Sequence, residues 1–563
     1  MQRSAFSKFY VIIFLLLIYS ENCIAQTAYG YNGMVVSASE EATQVGINIL
    51  KKGGNAIDAA VAVGFSLAVT YPSAGNIGGG GFMVIHLADG TNTTLDFREV
   101  SPANISDNLF LDEEGKVVSE RSIKTLLGTG IPGTVKGLLT ALEKYGSFDR
   151  KEVIDPAIKL AEEGFSLSFR HSESINYFNN EFNSHPSSKK IFTKNGDKFL
   201  LSDNLIQKDL ANTLRIISEL GSDGFYKGEI ADKLVKFIND NGGVISKDDL
   251  RNYKVLEKDP ISYDYKGYEI VSMPPPSAGG IALIQAFKLL NKIDFDKVKW
   301  NSSDYTYFLA EAFKYIYAYR NKYLGDPDFV KIPIDYLLSD ELIEKIYSDI
   351  TNNRRTYNEI KNEEIGKSES LETTHYSVVD KMGNAVSVTY TINSSYGNKI
   401  VAEGLGFLLN NEIDDFALSL DAVNQFGLTG SKANLIKPGK RMLSSMSPTI
   451  VLKNNYPLII IGSPGGSTII TSVIQVLSNI INYNMGIREA ITVPRFHHQW
   501  LPDALVYEEY GLSPETINAL DAKGLVIGNR AILGRVECIL FDEEKNIFTG
   551  LSDPRGFGKA IGY

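Results

Sequence analysis

Two threonines stand where they could act together. Residues 351–372 carry Asn, Arg, Lys, Glu and Ser with few apolar side chains, too little to bury against a core. This stretch reads as an exposed linker. Directly after it, Thr373 precedes a strand pattern, Thr374-His375-Tyr376-Ser377-Val378-Val379. A turn at Lys381-Met382-Gly383 and a second strand pattern from Ala385 to Ile392 follow. If the turn centres on Met382, Thr373 and Thr391 are equally far from it, and antiparallel register sets them opposite each other on one face. A threonine hydroxyl is a weak nucleophile. Freed as an N-terminus, it has its own α-amine as base, and that amine titrates at about pH 8 in model compounds. The chain must first be cut between Glu372 and Thr373, and the same hydroxyl could do this by attacking the preceding carbonyl and passing through an ester. Taken alone, Thr-Thr at a strand start is ordinarily a good β-former and nothing more.

The elements that must position this hairpin leave signals of their own. Ser39 is placed to cap a helix through Glu40-Glu41-Ala42 that stops at Gly53-Gly54. Asn55 caps a second, alanine-rich helix from Ala56 to about Val69, and Pro72 ends it. The run Gly78-Gly79-Gly80-Gly81 leads into a strand at Phe82–His86, an Asp89-Gly90 turn and a strand at Thr94–Arg98. The glycine run lacks the context of a nucleotide fingerprint and reads as close packing. Residues 133–350 are mainly helical. Asp304 is expected to cap a long helix ending near Gly325, with Phe308, Phe313, Tyr315 and Tyr319 as a core stripe. A strand near Tyr268–Ser272 interrupts the helices before three consecutive prolines. No internal repeat is visible.

Composition narrows the function classes. The chain has 563 residues, 44% hydrophobic and 22% charged, which is ordinary globular usage. A net charge of -11 sets an acidic surface against phosphate backbones, so nucleic acid is a poor partner. At the N-terminus, Arg3 and Lys8 precede an apolar run from Tyr10 to Tyr19, a polar break and Cys23-Ile24-Ala25. This is the pattern of a signal peptide cut near Ala25, hence a periplasmic or secreted protein, and the run is too short to span a bilayer. Removing it takes Cys23 and leaves Cys538, which excludes an intrachain disulfide. Gly366-Lys367-Ser368 lacks the earlier glycine of a phosphate loop. No His-Glu-x-x-His pattern occurs, and His497-His498 read as packing and hydrogen-bonding residues.

The run Thr373-Thr374-His375-Tyr376-Ser377-Val378-Val379-Asp380 resembles the start of the small subunit of γ-glutamyltransferases. The resemblance continues through Val388–Asn393, Leu408–Phe416, Leu443–Thr449, Gly462–Ser467, Pro494–Trp500 and Ser552–Arg555, and covers the earlier part of the chain at Gly53–Ala60 and Leu95–Glu99. Several long motifs in order make it specific. It implies the N-terminal nucleophile hydrolase fold, an α+β four-layer αββα sandwich. It also implies a proenzyme divided into a large subunit, 26–372, and a small one, 373–563, interleaved in one heterodimeric globule. The implied reaction transfers a γ-glutamyl group from glutathione or a similar donor to water, an amino acid or a peptide, without metal or organic cofactor.

The same resemblance assigns roles. Thr373 is the nucleophile and Thr391 its hydrogen-bond partner. Arg98 holds the donor's α-carboxylate, since a guanidinium suits a planar anion, with hydroxyl help from Ser444 and Ser445. Asp415, Glu412 and Asn393 take the ammonium. Gly465 and Gly466 offer backbone N–H groups to the oxyanion. Each residue alone has an ordinary explanation. Arg98 between Asp96 and Glu99 makes a surface ion pair, Asp414-Asp415 a helix cap, and the serines and glycines are turn residues. Their joint occurrence with the threonine hairpin favours the site. Two departures stand out: Glu412 where some bacterial members have glutamine, and Phe426, within the lid-like segment Ala417–Lys437, where some have tyrosine. A related acylase acting on cephalosporin-type side chains and a processing-dead secreted binding protein are the competing readings.

Overall fold

The computed structural model describes residues 27–354, 373–420, 424, 425, 428 and 431–563. Two seven-stranded sheets occupy its centre. The hairpin sheet runs in the order Lys559–Gly562, Gly33–Ser37, Thr374–Asp380, Ala385–Thr391, Gly80–His86, Asn92–Asp96, Leu256–Lys258, with every neighbour antiparallel. The partner sheet runs Ala28–Gly30, Ile547–Ser552, Glu537–Asp542, Tyr456–Gly462, Thr449–Lys453, Tyr268–Ser272, Ile261–Tyr265, also antiparallel throughout.

Strand alternation sorts the apolar side chains into three layers. Val35, Val378, Val386 and Val388 point to a core shared with the helices Glu40–Lys51, Ala56–Thr70 and Thr134–Tyr145. Their strand neighbours Met34, Val36, Val379 and Ala385 face the other way and meet Val271, Ile450, Ile460 and Ile539 between the sheets. Val451, Ile459 and Ile461 turn outward onto the helices Gly279–Leu290, Ser303–Tyr323 and Thr468–Tyr483. The result is the expected helix–sheet–sheet–helix sandwich. Burial of each such side chain contributes about 1.5–3 kcal/mol, so the central hairpin is anchored through both faces. Strands from either side of position 373 are mixed in both of these sheets, and neither stretch of chain makes either of them alone.

Most sequence boundaries hold. Ser39 caps the first helix and accepts the Ala42 N–H, while Asn55 and Asp58 form a capping box at the second. The aromatic stripe is buried, as expected. Three details differ. The long helix is capped by Ser302, not Asp304: Ser302 has the extended backbone of a cap and its Oγ accepts the Tyr305 N–H at 3.2 Å. The strand read as Thr94–Arg98 ends at Asp96, whose carboxylate accepts the Arg98 backbone N–H at 3.0 Å and turns the chain. The polar stretch read as linker begins inside the helix Asp340–Thr351. Residues 355–372 of that stretch, with their Gly-Lys-Ser, and the signal segment lie outside the described residues. Among the described residues no helix is long and apolar enough to cross a membrane, and Cys538 is a buried free thiol.

Candidate active site

The hairpin pairs Thr374 with Tyr390 and, in register, Val379 with Ala385. One further step sets Thr373 opposite Thr391. The Thr373 hydroxyl donates to Thr391 Oγ1 at 3.2 Å, and both side chains are buried. The turn holds that register because Asp380 Oδ1 accepts the N–H groups of Met382 (2.8 Å) and Asn384 (3.1 Å), with Gly383 at φ +89°. Thr391 Oγ1 also accepts the Asn393 N–H at 2.9 Å. The Thr391 carbonyl accepts the Asn76 side-chain amide at 2.9 Å. Gly79 packs so closely that a Cβ there would lie 2.0 Å from the Thr391 oxygen. Close packing is thus what the glycine run serves. Thr373 itself adopts φ +112°, a strained backbone for a β-branched residue.

Arg98 overturns the surface ion-pair explanation. It is 1% exposed, with Nη2 2.5 Å from Asp415 Oδ2, Nη1 hydrogen-bonded to Glu412, and Glu99 3.5 Å away. Burial opposes the guanidinium charge, yet Glu412, Glu99 and Asp415 outweigh it and hold Arg98 firmly protonated. The carboxylates bear the cost. Burial pushes Glu99 up to about 7 against the pull of Arg98, and raises Glu412 and Asp415 as well. Three acids around one cation leave surplus acceptor capacity. Such a site suits a zwitterionic head, with a carboxylate on the guanidinium and an ammonium on Asp415 and Glu412.

The other expected residues converge on the same cavity. Thr373, Thr391 and Asn393 line it together with Arg98, Glu412 and Asp415. Ser444, Ser445 and Gly466 complete the wall. Asn393 is held at φ +71° with its amide on the Asn411 carbonyl, 2.9 Å away. Gly465 and Gly466 have φ +130° and +55°, backbone that favours glycine, at the start of the Thr468–Tyr483 helix. Gly465 adjoins the lining residue Gly466, its carbonyl accepting Thr468 N at 3.0 Å and Thr468 Oγ1 at 2.7 Å. Of the Asp414-Asp415 pair, only Asp415 bonds to Arg98. Asp414 turns away to accept the Ser122 hydroxyl (2.7 Å) and the Gln425 N–H (3.1 Å), and burial pushes it up to about 6. Asn424 and Leu428 bring the lid-like segment to the cavity, while Phe426 lies outside the described residues. His497 hydrogen-bonds Thr471 and Gln499, as read.

Sequence reasoning missed Asn76, Arg320, Asn321 and Asn434. Asn76 fixes the hairpin end, and the other three line the cavity. Arg320 left a signal: a guanidinium inside the aromatic, buried face of a long helix needs a polar destination.

The chain is 47% identical over 525 residues to the glutathione hydrolase proenzyme of Escherichia coli (strain K12), covering 93% of this chain and 90% of that protein. The crystal structure of Helicobacter pylori gamma-glutamyltranspeptidase is 44% identical, with TM-score 0.56 over 58% of this chain and 94% of that one. Cephalosporin acylase from Bacillus halodurans, at 24% identity, shares the fold, with TM-score 0.82 over 97% of this chain and 98% of that one. A family model described as gamma-glutamyltranspeptidase matches residues 42–563, and the chain belongs to that family of N-terminal nucleophile hydrolases.

Proposed function

We propose that this protein is a self-cleaving γ-glutamyltransferase and glutathione hydrolase of the periplasm or extracellular space. The observation that carries the reading is the Thr373–Thr391 hydroxyl pair opening onto the same cavity as Arg98, Glu412 and Asp415. Thr373 attacks the carbonyl of Glu372, the peptide C–N bond breaks, and hydrolysis of the resulting ester yields chains ending at 372 and beginning at 373. The strained Thr373 backbone supports this step, because cleavage relieves it. The freed α-amine then takes the Oγ1 proton as Oγ1 attacks the γ-carbonyl of the donor. Backbone N–H groups at Gly465 and Gly466 hold the oxyanion. The amine leaves with a proton and a γ-glutamyl ester remains, to be taken by water or by the amine of an amino acid or peptide. Thr391 keeps Oγ1 oriented in both reactions.

The acylase reading predicts a donor without the α-amino acid head. The buried Arg98 clamp with its surplus carboxylates supports glutamate instead. Intact mass spectrometry of purified protein tests the proposal, with Thr373→Ala alongside. Two chains are expected from the wild type and one from the variant, and the wild type should release the amine of a γ-glutamyl anilide. A wild-type chain that stays whole after long incubation sinks the reading. Release only from cephalosporin-type amides would favour the acylase.

A further inference from the structure

Arg320 lies in the last turn of the Ser303–Tyr323 helix and lines the same cavity as Thr373 and Thr391. It is 5% exposed. Its Nη1 donates to Asn321 Oδ1 at 2.9 Å and its Nη2 to Ser445 Oγ at 3.1 Å. A guanidinium only donates, so the bond occupies an acceptor lone pair of the Ser445 hydroxyl. The hydroxyl proton must then point elsewhere. Ser444 is treated alike, its Oγ accepting the Met446 N–H at 3.1 Å. The loop carrying them is pinned by the Ser447 hydroxyl on the Ser445 carbonyl at 2.8 Å. Both serines line the cavity with Arg98.

We propose that Arg320 is a positioning residue for donor recognition, fixing the Ser445 hydroxyl as a hydrogen-bond donor to the carboxylate that Arg98 binds. This rests on the glutamyl reading above. Without Arg320, Ser445 can turn its lone pairs inward, and the carboxylate then meets an acceptor. Arg320 also bears electrostatically on Asp415. Loss of that influence would weaken every donor with an ammonium, with or without a carboxylate, which makes the two effects separable.

The experiment measures KM and kcat of the processed enzyme with a γ-glutamyl anilide and with its decarboxylated analogue, a 4-aminobutyryl anilide. Arg320→Met and Arg320→Lys are made in the wild-type and Ser445→Ala backgrounds. A hydrogen bond to a charged group is worth about tenfold or more in affinity. Arg320→Met should raise KM for the γ-glutamyl donor about tenfold with kcat little changed, and leave the decarboxylated donor within about twofold. Arg320→Lys, which keeps one donor, should recover part of the loss. In the Ser445→Ala background neither substitution should add to KM. If Arg320→Met does not fold or process, the lysine variant and its cycle with Ser445→Ala decide alone. Equal losses on both donors, or effects that add fully to Ser445→Ala, overturn the proposal. A wild type active on the γ-glutamyl donor with silent Arg320 variants overturns this inference alone, whereas a wild type inactive on that donor removes both.

Discussion

At the residue scale, the site is decided by partners distant in sequence. Thr391 Oγ1 accepts from Thr373 and from the Asn393 N–H, so it holds the Thr373 hydroxyl while being held itself. Thr391→Val keeps the shape and removes the acceptor. Turnover is expected to fall by about 10²-fold with KM little changed, and self-cleavage to slow with it. Steady-state kinetics and a time course of intact mass check both. Arg98 is bound differently: Glu412 and Asp415 each engage a separate guanidinium nitrogen. Lysine cannot satisfy two carboxylates and a substrate anion from one point charge. Arg98→Lys is therefore expected to raise the donor KM at least tenfold, on the order of 1.4 kcal/mol, with a smaller effect on kcat. An unchanged KM would mean that the carboxylate is bound elsewhere.

At the element scale, the hairpin is the best example of what the sequence discloses. Counting from the turn places Thr373 opposite Thr391, and the structure keeps that register because the Asp380 turn fixes it and a one-residue slip would exchange the side chains packed into the two cores. The caps at Ser39 and Asn55 are equally local and equally legible. What hides is whatever depends on contact across the sandwich. Arg98 sits among acids in sequence, and nothing local tells that Glu412 and Asp415, hundreds of residues on, enclose it. Asp304 misled as a cap because Ser302 and Asp304 both suit the role, and backbone geometry two residues earlier decides. Asn76 was invisible because its partner is a backbone carbonyl. Its neighbour Gly79 yields an element-scale prediction. A Cβ there would meet the Thr391 carbonyl at 2.0 Å, against backbone that cannot swing aside. Gly79→Ala is expected to cost about 1–3 kcal/mol in stability and to slow self-cleavage by displacing Thr391. Thermal unfolding and intact mass measure the two effects; a variant that unfolds and cleaves like the wild type would show that the hairpin end tolerates displacement.

At the scale of the whole molecule, the sandwich encloses ionisable groups whose charge it suppresses, in two opposing sets. Burial lowers His375 to about 3 and His497 and His498 to about 4, from an ordinary value of 6.5. Burial raises Asp414 to about 6 and Glu99 to about 7. The histidines stabilise the fold fully above pH 6.5. As pH falls, the unfolded chain takes up protons that the folded chain refuses, and their contribution is lost by about pH 3–4. The carboxyls act oppositely: their contribution is present at low pH and lost as pH rises through about 6 and 7. The pH dependence of the wild type is the sum of both sets, and one substitution can isolate a member. His375 hydrogen-bonds Thr389 Oγ1 through Nδ1 at 2.8 Å, against Gly462, where a Cβ would strike its ring at 2.4 Å. His375→Asn can keep the Thr389 bond and cannot titrate. Its stability at pH 7 is expected to be lower, because ring contacts are lost. From pH 6.5 towards pH 4, however, its unfolding free energy should fall less steeply than that of the wild type, by up to about 1.4 kcal/mol per pH unit. Urea unfolding of the processed enzyme across that range supplies the two slopes. Parallel slopes would mean that the folded chain protonates His375 as readily as the unfolded one, and that the space between the sheets near Thr373 admits charge.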